Sequence, residues 1–262
     1  MSRAASPILP IAELDLAFAP RRWPFAEERA EEIAAHWLKL RSSRPRLFDG
    51  RVLLMGAHEF VRRADGASIL RGAYFETDYK AFLAWRDFGF PDPSVRNGFS
   101  MAALQSSDGA YILGEMAAHT ANAGAIYFAA GTPDRMDVFG DRVDLAASVF
   151  RELQEETGLA PSEVEFSENW IVVDAPPRLA CLKPARSALD AATLKSRIEA
   201  HLAGEAEPEL AGVHVVASAD DIDEERTPPF LLDFLHYAFT ARSRPIAAEE
   251  ASNSKAVYPS QR

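Results

Sequence analysis

Cysteine is nearly absent: Cys181 is alone, so the chain has no internal disulfide and no cysteine-built zinc cluster. That usage fits a reducing compartment, and the expected location is cytoplasmic. The six histidines (His36, His58, His119, His201, His214 and His236) are scattered, with no pair at metal-ligand spacing. No stretch approaches the roughly 18 apolar residues of a membrane span. The start of the chain, with Pro7, Pro10, Glu13 and Asp15, lacks the apolar run of a signal peptide. Positive charge is also scarce, because 28 Lys and Arg against 39 Asp and Glu leave a net charge of −11. A nucleic-acid polymer needs a basic stripe and is therefore not expected as a partner. A small phosphate-bearing molecule remains compatible, since local positive charge or a bound cation suffices for it.

What is present is ample apolar material, 48% of 262 residues, enough to bury a full core. Residues 11–18 alternate as a strand does, and Pro24 opens a helix to about Arg41. Arg51–Phe60 and Ser68–Phe75 read as strands around Asp65-Gly66, and Tyr79–Phe88 as a short helix stopped by Gly89 and Pro91. Pro91-Asp92-Pro93 marks a boundary between an N-terminal α+β extension, residues 1–95, and a main domain, residues 96–246. Residues 247–262 read as a disordered tail. Within the main domain, Phe99–Gln105 and Tyr111–Met116 form a hairpin through Asp108-Gly109, and Gly124–Ala130 is a further apolar run. A helix runs from the N-cap Asp144 to Thr157, stopped by Gly158. Asn169–Asp174 and Val213–Val216 read as strands, Asp190–Leu202 and Pro229–Ala241 as helices. Mixed order without strict alternation makes the fold α+β.

Chemistry concentrates in Arg151-Glu152-Leu153-Gln154-Glu155-Glu156-Thr157-Gly158-Leu159. On a helix, Glu152, Glu155 and Glu156 fall at i, i+3 and i+4 and share a face. Leu145, Val149 and Leu153 are assigned to the opposite face, against a sheet. Three carboxylates so close either remain solvated or share a cation, and hard oxygen donors favour Mg²⁺, with Mn²⁺ also suited. Arg151, at i−4 from Glu155, can hold that carboxylate in position.

This string resembles the second half of the Nudix box, Arg-Glu-apolar-x-Glu-Glu-x-Gly-apolar, at each specified position. The likeness extends in element order over about residues 97–242. It implies an α/β/α sandwich around a mixed sheet, magnesium bound by Glu152, Glu155 and Glu156, and Arg151 as their structural partner. The first half of the box departs from the pattern. Val143 stands where the family has a glutamate, and the stretch from Gly131 to Arg151 is six residues longer than usual. Asp134, Asp137, Asp141 and Asp144 populate that stretch, and Asp144 is the foremost replacement for the glutamate. Trp37, Pro45, Leu47-Phe48-Asp49, Tyr79 and Phe82-Leu83 resemble the extended Nudix branch that hydrolyses UDP-sugars.

A base for such a hydrolase is available in Glu155 or Glu156, or in Glu205, Glu207 or Glu209 before the strand Val213–Val216. Glu209, nearest that strand, is the first choice. Arg71, Arg96, Arg135, Arg178 and Lys183 are candidates to neutralise phosphate oxygens, Arg178 foremost, and Gly131 is expected beside the substrate. Trp85, Trp170, Tyr127 and Phe128 are candidates to stack on a base, with a core role as the alternative for each. The expected activity is magnesium-dependent cleavage of a diphosphate linkage in a nucleoside diphosphate joined to a group X. The alternative is a Nudix-fold module that senses such a nucleotide-linked metabolite without cleaving it. Monomer and homodimer both remain open.

Overall fold

Burial on both faces marks the central strand, in which Gly98 to Leu104 are all buried. A computed structural model describes residues 4–45 and 47–242; the expected disordered tail lies outside them. The elements in chain order are β1 (Ile8–Ile11), β2 (Glu13–Phe18), α1 (Pro24–Glu28), α2 (Ala30–Ser43), β3 (Arg51–Arg62), β4 (Ser68–Asp78), α3 (Tyr79–Asp87), β5 (Asn97–Gln105), β6 (Tyr111–Met116), β7 (Ile126–Tyr127), β8 (Ala130–Gly131), β9 (Val138–Phe139), β10 (Arg142–Val143), α4 (Leu145–Thr157), β11 (Val164–Phe166), β12 (Trp170–Ala175), β13 (Arg178–Ser187), α5 (Ala191–Gly204), β14 (Leu210–Val216) and α6 (Pro229–Arg242).

One sheet runs β1-β12-β13-β5-β6-β14, with β5 and β13 parallel and the other pairs antiparallel. Its two faces are both covered. Phe230, Leu231, Phe234 and Leu235 of α6 pack against Phe99, Met101 and Leu182 on one side. Val149 and Leu153 of α4, with Leu194 and Ile198 of α5, pack against Ala102, Leu104 and Ile112 on the other. This is the expected α+β fold with a mixed sheet between helical layers. The second sheet, β3-β4-β2-β10-β9, joins the same core through Leu53 and Met55, while Val52 and Leu54 face α3 and Trp23. A strand buried on both faces reads as a continuous apolar run, as Val52–Met55 does.

Several elements differ from the sequence-based expectations. The helix expected over 24–41 is broken at Arg29, whose φ of −109° and ψ of 23° leave the helical region. The apolar run 124–130 holds β7 and the first residue of β8, two two-residue strands separated by Phe128-Ala129. The strand β13 was not expected, because Lys183, Pro184 and Arg186 interrupt its apolar run. Pro184 lies where β13's neighbour changes from β12 to β11, a break at which a missing N–H is tolerated. Two segments also cross the line at 91–93: β1 pairs with β12, and β9 and β10 complete the sheet of β2–β4. Among the described residues no helix is long and apolar enough to cross a membrane.

Candidate active site

The site is created by a gap in the sheet. The strands β5 and β6 pair only at Gln105 and Tyr111 and then separate. The returning segment fills the opening: β8 pairs Gly131 with Ser100, and β7 pairs Tyr127 with Gly114. Phe128 lies fully buried between them, stacked edge-on against Tyr111 and Phe234. That anchor fixes the backbone of Ala130 and Gly131 beneath the C-terminal half of α4.

The helix α4 is set at both ends by local chemistry. Asp144 Oδ1 accepts hydrogen bonds from the Ala146 and Ala147 N–H groups, at 2.9 and 3.1 Å. Gly158 adopts φ 69°, the left-handed stop, and a Cβ there would lie 2.6 Å from the His201 ring. Between these ends the expectation of opposite faces is corrected. Glu156 is buried, like Val149 and Leu153, and Glu152 is only 13% exposed, whereas Glu155 is 62% exposed. At about 100° per residue, position 156 returns almost to the azimuth of the apolar stripe, three residues beyond Leu153. Two of the three carboxylates are therefore carried inward by the face that packs on the sheet.

Their neighbours are specific. The Ala130 backbone N–H faces the Glu156 carboxylate and favours its charged form, and Glu156 Oε2 is buried with no hydrogen-bond partner among the described residues. Burial, then the charges of Glu152 and Glu209, push the Glu156 carboxyl well above its usual range. Burial also pushes Glu152 up to about 7, against the pull of Arg151 and with the push of Glu155 and Glu209. Gly131 makes the approach sterically feasible, because a Cβ on it would lie 2.1 Å from Glu152 Oε1. Glu152, Glu155, Glu156, Glu205, Glu207 and Glu209 line one open pocket of about 420 Å³, with no cation among its lining residues. The first-choice loop residue Glu209 thus lies with the helix carboxylates.

Arg151 does more than reach Glu155, which it approaches at 3.7 Å. Its Nη1 donates to Glu152 Oε1 at 2.6 Å, and its Nη2 lies 3.2 Å from both oxygens of Asp137. Asp137 is 1% exposed and also accepts from the Asp134 N–H. Of the four aspartates in the lengthened stretch, Asp137 is the one that joins the carboxylate cluster, and it does so through Arg151. Asp144 serves as N-cap and Asp134 caps the short turn before β9. Neither these nor Asp141 lines the acidic pocket. Nothing in the sequence alone separates Asp137 from the other three aspartates; its burial in the fold does, and the flanking Met136 and Val138 do not announce it.

The remaining candidates are dispersed. Arg71 pairs with Asp15 and Glu59 on the surface, and Arg96 donates to the Pro93 carbonyl. The Arg135 guanidinium lies over the Phe18 ring. Lys183 donates to the Glu168 carbonyl and covers Trp170, outside both the acidic pocket and the cavity described next. Trp85 is fully buried with Trp23 and Phe90. Tyr127 and Arg178 line a cavity of about 430 Å³ whose floor includes Ala130 and Gly131. The two cavities therefore meet at one piece of backbone: Glu152 and Glu156 touch Ala130-Gly131, and the second cavity is bounded by it.

The carboxylates suit a hard divalent cation. A pocket lined by glutamates without a lysine or arginine, one of them buried with an oxygen lacking any donor, is short of positive charge, and oxygen donors select Mg²⁺ or Mn²⁺. As the side chains stand, no three His, Cys, Asp or Glu among the described residues are placed to hold a metal ion.

No family model matches the chain, and no curated protein does. Solved structures similar to it include a MutT protein from Methanosarcina mazei (15% identical, covering 57% of this chain and 96% of that one, TM-score 0.37). A Nudix hydrolase from Nitrosomonas europaea is 15% identical over 61% of this chain and 99% of that one, with TM-score 0.36. A Bacillus subtilis pyrophosphohydrolase is 12% identical over 63% and 87%, with TM-score 0.35. Scores this low carry no argument about chemistry, which rests on the side chains above.

Proposed function

We propose that the chain is a magnesium-dependent Nudix hydrolase that cleaves a diphosphate linkage in a nucleoside diphosphate joined to X, with UDP-sugars as the leading substrates. The observation that carries this reading is the convergence of Glu152, Glu155, Glu156 and Glu209 on one pocket, with Glu156 Oε2 buried and unpartnered. In the reading, Glu152, Glu155 and Glu156 hold the cation, Mg²⁺ or Mn²⁺. Bound there, it would withdraw charge from the phosphoryl oxygens. Arg151, held by Asp137, keeps Glu152 turned inward. Glu209 takes a proton from water as the water oxygen attacks phosphorus, and the phosphoanhydride oxygen leaves with its electron pair. Glu155 and Glu156 are the alternative bases. Gly131 and Arg178 contact the substrate, which spans the backbone between the two cavities. The products are a nucleoside monophosphate and phosphorylated X.

The test is release of nucleoside monophosphate from UDP-sugars, ADP-ribose, dinucleoside polyphosphates and nucleoside triphosphates, with Mg²⁺ and with EDTA. No Mg²⁺-dependent release from any of them overturns the reading. The second reading is a module that binds such a molecule without turnover. Binding without release in the same panel would select it.

A further inference from the structure

The cavity beside the acidic pocket has the opposite electrical character. It is lined by Arg44, Arg86 and Arg178, and no aspartate or glutamate lines it. In a chain of net charge −11, that segregation is not what random placement of charge produces. Two of these arginines have no ion-pair partner among the described residues. The Arg44 guanidinium donates to the Ala121 carbonyl at 3.4 Å, and the Arg178 guanidinium lies over the Phe90 ring at 5.5 Å. Arg86 is paired with Asp87 at 2.8 Å and donates to Asn122. Burial, and then repulsion from Arg86, lower the pKa of Arg178. Two guanidinium groups repelling beside an enclosed space are stabilised when an anion lies between them.

The rest of the lining adds a second requirement. Asn97 lines the cavity with its Oδ1 buried and without a hydrogen-bond donor among the described residues, a demand that a ligand hydroxyl meets when the amide turns toward the cavity. Tyr79, Tyr127, Phe99 and Phe230 offer ring faces and edges. A hydroxyl donor, an apolar ring face and a negative charge together describe a sugar bearing an acidic group. The cavity volume of about 430 Å³ is within the range of small-molecule sites.

We propose that this cavity binds X, and that X is a sugar carrying its own anion, a carboxylate or a phosphate, held by Arg178 with Arg86 beside it and Arg44 in the same lining. The position of the diphosphate, over Ala130-Gly131, rests on the hydrolase reading; the charge and hydroxyl preference does not. The arginines come from three places in the chain, the end of α2, α3 and β13, so the residues of the N-terminal extension supply two of the three.

The experiment compares matched ligands differing by one anionic group: UDP-glucuronate with UDP-glucose, and ADP-ribose phosphorylated on its terminal ribose with ADP-ribose. Binding of each is measured calorimetrically on the full chain in EDTA, so that neither turnover nor metal enters the result. The acidic member of at least one pair is expected to bind about tenfold or more tightly, the gain of one charge-assisted hydrogen bond. Which pair responds distinguishes carboxylate from phosphate. In Arg178→Gln, and separately in Arg44→Gln, that ratio should fall towards one, with thermal melts confirming that each variant folds. No preference in either pair, or no binding at millimolar concentrations, overturns the proposal. So does an equal loss for both members of a pair, which would place the arginines on the diphosphate itself. Mg²⁺-dependent hydrolysis is scored apart: selective binding without release removes the hydrolase reading and leaves this one standing.

Discussion

Gly131 faces Glu152 at a distance that leaves no room for a methyl group: a Cβ at 131 would lie 2.1 Å from Glu152 Oε1 and 2.4 Å from its Cδ. The contact joins the strand that fills the gap in the sheet to the helix that carries the carboxylates. Gly131→Ala should push Glu152 off Arg151 and out of the pocket. Activity on the preferred substrate should fall about tenfold or more, because small displacements of a catalytic group are costly. The circular dichroism spectrum should remain that of wild type. Unchanged kcat/KM would show that Glu152 does not need its present position.

Glu156 carries the buried oxygen without a donor. Glu156→Gln keeps the volume and removes the charge, so turnover should drop by about a hundredfold or more at saturating Mg²⁺. The same substitution should stabilise the metal-free protein. The folded carboxyl has its pKa raised above 4.5, so ionisation costs stability as pH rises beyond that value and costs nothing below it. Melting temperatures in EDTA should therefore coincide near pH 4 and diverge in favour of the variant at pH 8. Added Mg²⁺ should raise the wild-type melting temperature more than the variant's. A variant less stable than wild type at pH 8 in EDTA would contradict this account.

Asp137 acts through Arg151. Asp137→Asn removes the anion that Arg151 Nη2 reaches at 3.2 Å and frees the guanidinium to move away from Glu152. Removing one side of such a pair costs about 3 kcal/mol or more when it leaves a buried charge uncompensated, but Arg151 keeps Glu152 and partial solvent contact, so the expected loss is nearer 1–2 kcal/mol. Because the effect reaches catalysis through Glu152, the Mg²⁺ concentration for half-maximal activity should rise more than the substrate KM. An Asp137→Glu variant should recover part of the loss. Equal shifts in both constants would mark a merely structural role.

Asp15 bridges two strands, accepting from Arg71 of β4 at 3.0 Å and from Arg142 of β10 at 2.6 Å. Hydrogen bonds from Arg71, then Arg142, hold its carboxyl below 3.8. The stability this contributes is present above the unfolded value and is lost as pH falls through the lower folded value. Asp15→Asn should cost about 1 kcal/mol at pH 7, the upper end for partly exposed pairs. Urea unfolding at pH 3 should show a narrower gap between variant and wild type than at pH 7. A gap as wide at both pH values would remove the charge from the explanation.

If the cavity lined by Arg44, Tyr79, Phe82 and Arg86 receives X, a substrate lacking X leaves those contacts unmade. UDP-glucose should then show a higher kcat/KM than UTP. A clear preference for UTP would remove the N-terminal extension from substrate recognition and point to a lid or a dimer contact.

Local pattern determined much of what matters here. The helix α4 could be read from its N-cap Asp144, its stop at Gly158 and the 3.6-residue period between them, because caps and period depend on residues a few positions apart. The glutamates at 152, 155 and 156 were legible for the same reason, as was the placement of Glu209 just before β14. Tertiary structure decided everything that depends on chain return. Whether Glu156 faces water or the sheet depends on where Ala130 lies, and that depends on the opening between β5 and β6 and on Phe128 filling it. Asp137 could not be told from Asp134, Asp141 and Asp144 until the loop was folded back on Arg151. The arginine-lined cavity draws Arg44, Arg86 and Arg178 from three separate elements, Arg178 more than ninety residues beyond the other two, and no periodicity spans that separation. A side chain's period is set by its own backbone; its partner is set by packing.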